Sequence, residues 1–93
     1  MNLILIGSTK CAPCAIMKNQ ISSEMEFLDK NNVTFDYINL DELEDKDMFI
    51  QANGITCTPT TWIMKDGLIE KEFSGYIGVD ELIENIKYVG GIK

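Results

Sequence analysis

Residues 2–21 read NLILIGSTKCAPCAIMKNQI, and the fold turns on how this run divides. Asn2 to Ile6 is nearly all apolar, as a strand buried on both faces is. Gly7, Ser8 and Thr9 make a loop. From Ala12 the apolar residues change to a helical period. Cys14, Met17, Ile21, Met25 and Leu28 fall on one stripe at steps of three and four, which predicts a helix from Ala12 to Lys30 closed by Asn31-Asn32. Two cysteines, Cys11 and Cys14, therefore stand where a buried strand hands over to a helix.

The rest of the chain continues the alternation. Val33 to Leu40 (VTFDYINL) is rich in β-branched and aromatic residues and reads as a second strand. Asp41 to Asn53 is less periodic, but its acidic first turn and the stop at Gly54 predict a short helix. Thr60 to Lys65 is a third strand. Asp66-Gly67 is a strong two-residue hairpin signal, so Leu68 to Phe73 becomes a fourth strand antiparallel to the third. Val79, Leu82, Ile83, Ile86 and Val89 mark a last amphipathic helix with Asp80 and Glu81 in its first turn. The order is βαβαββα, an α/β fold, and the first two strands, joined through a helix, should run parallel.

Composition narrows the chemistry. The 93 residues suit one domain, taken as 1–93, with no linker, repeat or low-complexity stretch. Histidine is absent, which excludes the usual serine or cysteine hydrolase with its histidine base. Three cysteines without histidine cannot fill a four-ligand zinc site unless a carboxylate joins them. The net charge of −7 argues against nucleic acid or an anionic membrane as partner. The longest apolar run, Leu3 to Ile6, is too short for a signal-peptide core or a membrane span, so a cytoplasmic location with reduced thiols is expected. The charge is uneven. Residues 1–23 carry Lys10 and Lys18 and no acid, while all fifteen acids lie in the remainder.

Cys11-Ala12-Pro13-Cys14 is a weak signal by itself and a stronger one inside a βα unit. Cys11 falls at the helix N-terminus, where unpaired N–H groups and the positive end of the dipole favour a thiolate. Lys10 adds a neighbouring positive charge, and Pro13 fits a first turn that does not use its missing N–H. Cys14, on the apolar stripe, faces the core. The outer thiol can attack and the inner one resolve. The same two residues could also be small buried hydrophobes or half of a metal site.

Taken with Asn39-Leu40-Asp41, the Gly54…Thr58-Pro59-Thr60 segment, Lys65-Asp66-Gly67 and the closing Gly75, the CAPC pair makes the sequence resemble the thioredoxin family from Leu3 to about Val89. It is similar to the minimal form, without an extra N-terminal strand and helix. The resemblance implies a four-stranded mixed sheet flanked by helices, a cis peptide bond at Thr58-Pro59, and a substrate groove formed by Ala12, Pro13, Thr58, Pro59, Gly75 and Tyr76. Cys11 is then the nucleophile and Cys14 the resolving thiol of a protein-disulfide reductase that needs no metal or organic cofactor. Its implied partners are disulfide-containing clients, such as ribonucleotide reductase or peroxidases, and thioredoxin reductase as electron donor. A monomer is the default.

The departures are specific. Lys10 stands where thioredoxins usually carry tryptophan before the first cysteine, and the chain's one tryptophan, Trp62, falls in the third strand as a core residue. Tyr76, where the family often has a small residue, can supply a replacement aromatic contact. Leu5 and Tyr37 match the positions of the family's buried aspartate and its lysine partner. Water or another carboxylate must then take the inner thiol's proton, or resolution is slower. Cys57, two residues before Pro59, is either a regulatory thiol near the groove or a small residue filling a turn. Two alternatives share the fold: a glutaredoxin-like or ribonucleotide-reductase-linked redoxin, and a non-catalytic adaptor. Glutaredoxins draw on glutathione, but no arginine is present to clamp its carboxylates, and Ser74-Gly75-Tyr76 resembles their binding segment only loosely.

Overall fold

The computed structural model describes residues 1–92. Strand β1 (Asn2–Gly7) leads into helix α1 (Ala12–Ser22), a second helix α2 (Met25–Lys30), strand β2 (Thr34–Asn39) and a 3-10 turn at Leu40–Glu42. Helix α3 (Lys46–Asn53), the hairpin β3 (Thr60–Lys65) and β4 (Leu68–Ser74), and helix α4 (Val79–Gly90) complete it. The sheet order is β2-β1-β3-β4, with β1 parallel to β2 and antiparallel to β3, and with β3 antiparallel to β4. The expected four-stranded mixed sheet flanked by helices is what forms.

Strand β1 is central because both of its faces are apolar. Leu3 and Leu5 point into a core shared with Met17 and Ile21 of α1, Leu28 of α2, and Leu82 and Ile86 of α4. Ile6 points the other way, into a smaller core with Leu40, Ile55 and Trp62, against which Phe49 and Ile50 of α3 pack. Alternation along one strand thus distributes the helices between two layers.

Three elements differ from the sequence expectation. The helix expected over Ala12 to Lys30 is two helices, broken at Ser23-Glu24. The Ser23 hydroxyl donates to the Gln20 carbonyl at 2.6 Å, a local bond that competes with helix continuation. The apolar stripe survives the break, with Met17, Ile21 and Leu28 all buried. The helix expected over Asp41 to Asn53 is a 3-10 turn followed by α3, because two side chains each start an element of their own. Asn39 Oδ1 accepts from Asp41 N at 3.0 Å, and Asp45 Oδ1 accepts from Met48 N at 3.1 Å. Gly54 ends α3 in the left-handed conformation, φ 61°. Gly7 belongs to β1 rather than to the loop, and the β3–β4 ladder shifts register between Ile63 and Met64. The Asp66-Gly67 turn has φ 55° and 78°, as a tight two-residue hairpin requires.

Register gathers four loops at one end of the sheet. Gly7 pairs with Asn39, Ile6 with Thr60, and Thr60 with Ser74. The segments that follow Gly7 and Asn39, precede Thr60 and follow Ser74 therefore all emerge together. A polar brace ties two of them. Asn39 Nδ2 donates to Thr9 Oγ1 at 3.1 Å, and Thr9 N donates to Asp41 Oδ2 at 2.8 Å. Lys46 Nζ reaches Asp41 Oδ1 at 3.1 Å.

Two predictions arise here. Thr61 Oγ1 is buried without a hydrogen-bond partner among the described residues. Thr61→Val keeps the β-branched shape and removes that unsatisfied group, so it should raise the unfolding free energy by about 1 kcal/mol in denaturant titration. The second concerns Asp41, whose carboxyl is held below its usual range, first by the Thr9 N–H and then by Lys46. Its stabilising contribution is complete above the ordinary carboxylate value and is lost as pH falls through the lowered folded value. Thr9 amide protection in hydrogen exchange should fall over that acidic window, and in Asp41→Ala it should be low at every pH.

Candidate functional site

Cys11 is the N-cap of α1, with extended backbone angles, φ −98° and ψ 104°. Its Sγ accepts a hydrogen bond from Cys14 N at 3.2 Å, so the sulfur takes the place of a capping oxygen. Pro13 occupies the first helical turn, where no N–H is required. One turn of helix puts the two Cα atoms 5.2 Å apart, and Cys11 and Cys14 are joined as a disulfide. The two residues differ in burial. Cys14 is fully enclosed, 0% exposed, whereas Cys11 is half-buried at the helix tip. Lys10, Ala12 and Pro13 are exposed around it.

The other expected groove residues come from the loops that register brings to this end. The Thr58–Pro59 peptide bond is cis. Pro59 is buried and Thr58 half-buried. Gly75, at φ 91°, donates its N–H to the Pro59 carbonyl at 2.7 Å, tying the two loops together. Tyr76 is 53% exposed, and its hydroxyl donates to Gln20 Oε1 of α1 at 3.2 Å. A half-exposed Ile16 lies on the same helix. Cys57 carries an exposed free thiol, and its carbonyl accepts from the Thr60 hydroxyl at 2.7 Å.

Trp62 lies in the α3-side core. Its Nε1 donates to Glu72 Oε2 at 2.7 Å, and Phe49 packs 6.4 Å from it, ring centre to ring centre. Leu5 is fully buried and pairs in register with Tyr37. Sequence reasoning named Asn39 and Asp41 as part of a motif but not as the brace on the loop before Cys11. Their separation from Thr9, some thirty residues along the chain, leaves no local signal. It also gave Gly7 no role. A Cβ there would stand 2.9 Å from Cys14 Cβ and 2.6 Å from Tyr37 Oη, so only glycine lets α1 come this close to β1. Among the described residues there is no cluster of three or more His, Cys, Asp or Glu placed to hold a metal ion, and no helix long and apolar enough to cross a membrane.

Known proteins share this fold. A family model described as a thioredoxin-like domain matches residues 2–90. A chloroplastic thioredoxin F from Oryza sativa subsp. japonica is 35% identical over 79 residues, which cover 85% of this chain and 40% of that protein. The chain thus spans two fifths of that relative's length. Among solved structures, thioredoxin 1 from the thermophilic eubacterium Thermosipho africanus has a TM-score of 0.80 at 20% identity, covering 99% of this chain and 97% of the other. Oxidised thioredoxin O2 from Arabidopsis thaliana has a TM-score of 0.76 at 21% identity, covering 95% and 73%. At such identities the structures speak for the fold alone. With Cys11 and Cys14 at disulfide distance on that fold, a thioredoxin redox function is supported. The family model spans nearly all of the chain, and on that match the chain belongs to the thioredoxin-like family.

Proposed function

We propose that the chain is a protein-disulfide reductase that cycles between a Cys11/Cys14 dithiol and the Cys11–Cys14 disulfide. The observation that carries this is the asymmetry of the pair: one sulfur caps a helix at the surface and its partner is fully enclosed behind it. The helix N-terminus stabilises negative charge on Cys11, so a thiolate can persist where a client can reach it. That thiolate attacks one sulfur of a client disulfide. The client's S–S bond breaks, its other sulfur leaves as a thiolate, and Cys11 is held in a mixed disulfide. Cys14 then attacks Cys11 Sγ, releases the second client sulfur and closes the internal disulfide. Two electrons pass from the dithiol to the client.

Ala12, Pro13, Thr58, Pro59, Gly75 and Tyr76 form the client groove in this reading. The exposed Tyr76 ring, bonded through its hydroxyl to Gln20 of α1, offers a client an apolar contact. An extended client segment can pair with the Thr58 backbone as an added strand. The internal disulfide must be reopened by a separate reductant, for which thioredoxin reductase is the reading favoured by the lack of any arginine to clamp glutathione. A cytoplasmic monomer acting on several disulfide-bearing clients completes the proposal.

Cys11→Ser should lower reduction of a disulfide-bonded protein substrate to the uncatalysed rate. Cys14→Ser should keep the first attack and accumulate a covalent complex with the client, seen as a band on non-reducing gels that thiol reagents dissolve. Retained turnover in Cys11→Ser overturns the assignment. Regeneration by thioredoxin reductase should outpace regeneration by glutathione. The equilibrium potential of the couple should lie near about −270 mV, as in a reductant, rather than near about −120 mV.

A further inference from the structure

Thiol–disulfide exchange asks two things of the inner sulfur. It must shed a proton before it attacks, and it must carry negative charge when it leaves. Cys14 Sγ does this from full burial, on a helix face shared with Met17 and Ile21. Apolar surroundings favour the neutral thiol. A hydrogen-bond donor to the sulfur would offset that burial, and the structure holds one at close quarters. The point where a Cβ on Gly7 would stand is 3.0 Å from Cys14 Sγ and 2.6 Å from Tyr37 Oη. The sulfur and the phenol oxygen therefore border one small space, which exists because residue 7 has no side chain. Tyr37 is delivered there by β-sheet register: it pairs with Leu5, whose side chain fills the same core.

We propose that the Tyr37 hydroxyl donates a hydrogen bond to Cys14 Sγ once the disulfide opens, and so holds the inner thiolate during both closing and reopening of the Cys11–Cys14 bond. This rests on the redox function proposed above. In the closing step the Cys14 proton passes to water. The Cys14 thiolate forms the new S–S bond to Cys11, the bond from Cys11 to the client breaks, and the client sulfur leaves with the electron pair and takes up a proton. On reopening, a reductant thiolate attacks Cys11 and Cys14 leaves as the thiolate. Tyr37 keeps its own proton throughout. Burial, then the charges of Glu42 and Asp41, raise its phenol above the ordinary 10.0, so it stays a donor. The charged groups around it are Lys18 of α1, 4.6 Å above the ring, and Glu42 and Asp41 of the 3-10 turn, with Lys46 paired to Asp41. Strand β1 has no ionisable side chain, and Asp36 of β2 is exposed.

The test separates the two sulfurs. Reduced protein in a Cys57→Ser background is mixed with the aromatic disulfide 5,5′-dithiobis(2-nitrobenzoate) in a stopped-flow instrument. The first nitrothiobenzoate released reports attack by Cys11, and the second reports resolution by Cys14. With Tyr37→Phe the first phase should be unchanged. The second should slow about tenfold at neutral pH, with its pH midpoint displaced upward by about one unit. Slower resolution with an undisplaced midpoint would mean a packing role only and overturns the proposal, as does an unchanged second phase. Absence of the first phase in the parent protein overturns the redox reading beneath it. If Tyr37→Phe does not fold, 4-aminophenylalanine in place of Tyr37 preserves shape and offers a weaker, uncharged donor at neutral pH. The midpoint should then move up, and an unmoved midpoint overturns the proposal.

Discussion

The closeness of α1 to β1 at Gly7 is the constraint on which the site depends. Cys14 sits where it does because nothing projects from residue 7 toward it. A methyl group there would meet Cys14 Cβ and Tyr37 Oη inside ordinary contact distance, so the helix would have to back away from the strand. Backing away would draw Cys14 out of the core and change the angle at which Cys11 caps the helix. The redox pair is thus placed by a missing side chain as much as by the cysteines themselves.

The surrounding loops are held by bonds that cross long stretches of chain. Asp41 and Asn39, at the end of β2, tether Thr9 just before Cys11, and Gly75 N–H tethers Pro59. Each tether spans neighbouring strands at the same end of the sheet, so strand register carries the loops into place. Residues 1–23 hold two lysines and no acid, so the carboxylate that braces the β1–α1 junction, Asp41, is supplied from beyond β2.

Much of this was legible in the sequence, for identifiable reasons. The change from a continuous apolar run to a stripe of Cys14, Met17 and Ile21 located both the helix start and the inward cysteine. Asp66-Gly67 located the hairpin because those two residues tolerate positive φ. The break at Ser23-Glu24 was hidden because the apolar stripe runs straight through it, and a serine's bond to its own helix leaves no mark on hydrophobic period. The split between the 3-10 turn and α3 was hidden likewise, since Asn39 and Asp45 cap by short-range bonds inside a generally acidic stretch. In the sequence Tyr37 stands out only as the residue at the position of the family's lysine partner to a buried aspartate. Its proximity to a sulfur depends on three elements meeting at Gly7, which no single segment encodes.

The position of Trp62 has a consequence for how the molecule can be watched. It packs with Phe49 and Ile55 in the layer on the α3 side, with the sheet between it and the enclosed sulfur of Cys14. Indole emission from the one tryptophan therefore follows the integrity of the α3-side layer, whereas the aromatic ring that borders the enclosed sulfur is a phenol, Tyr37. Selective excitation of the indole gauges one half of the fold without addressing the other.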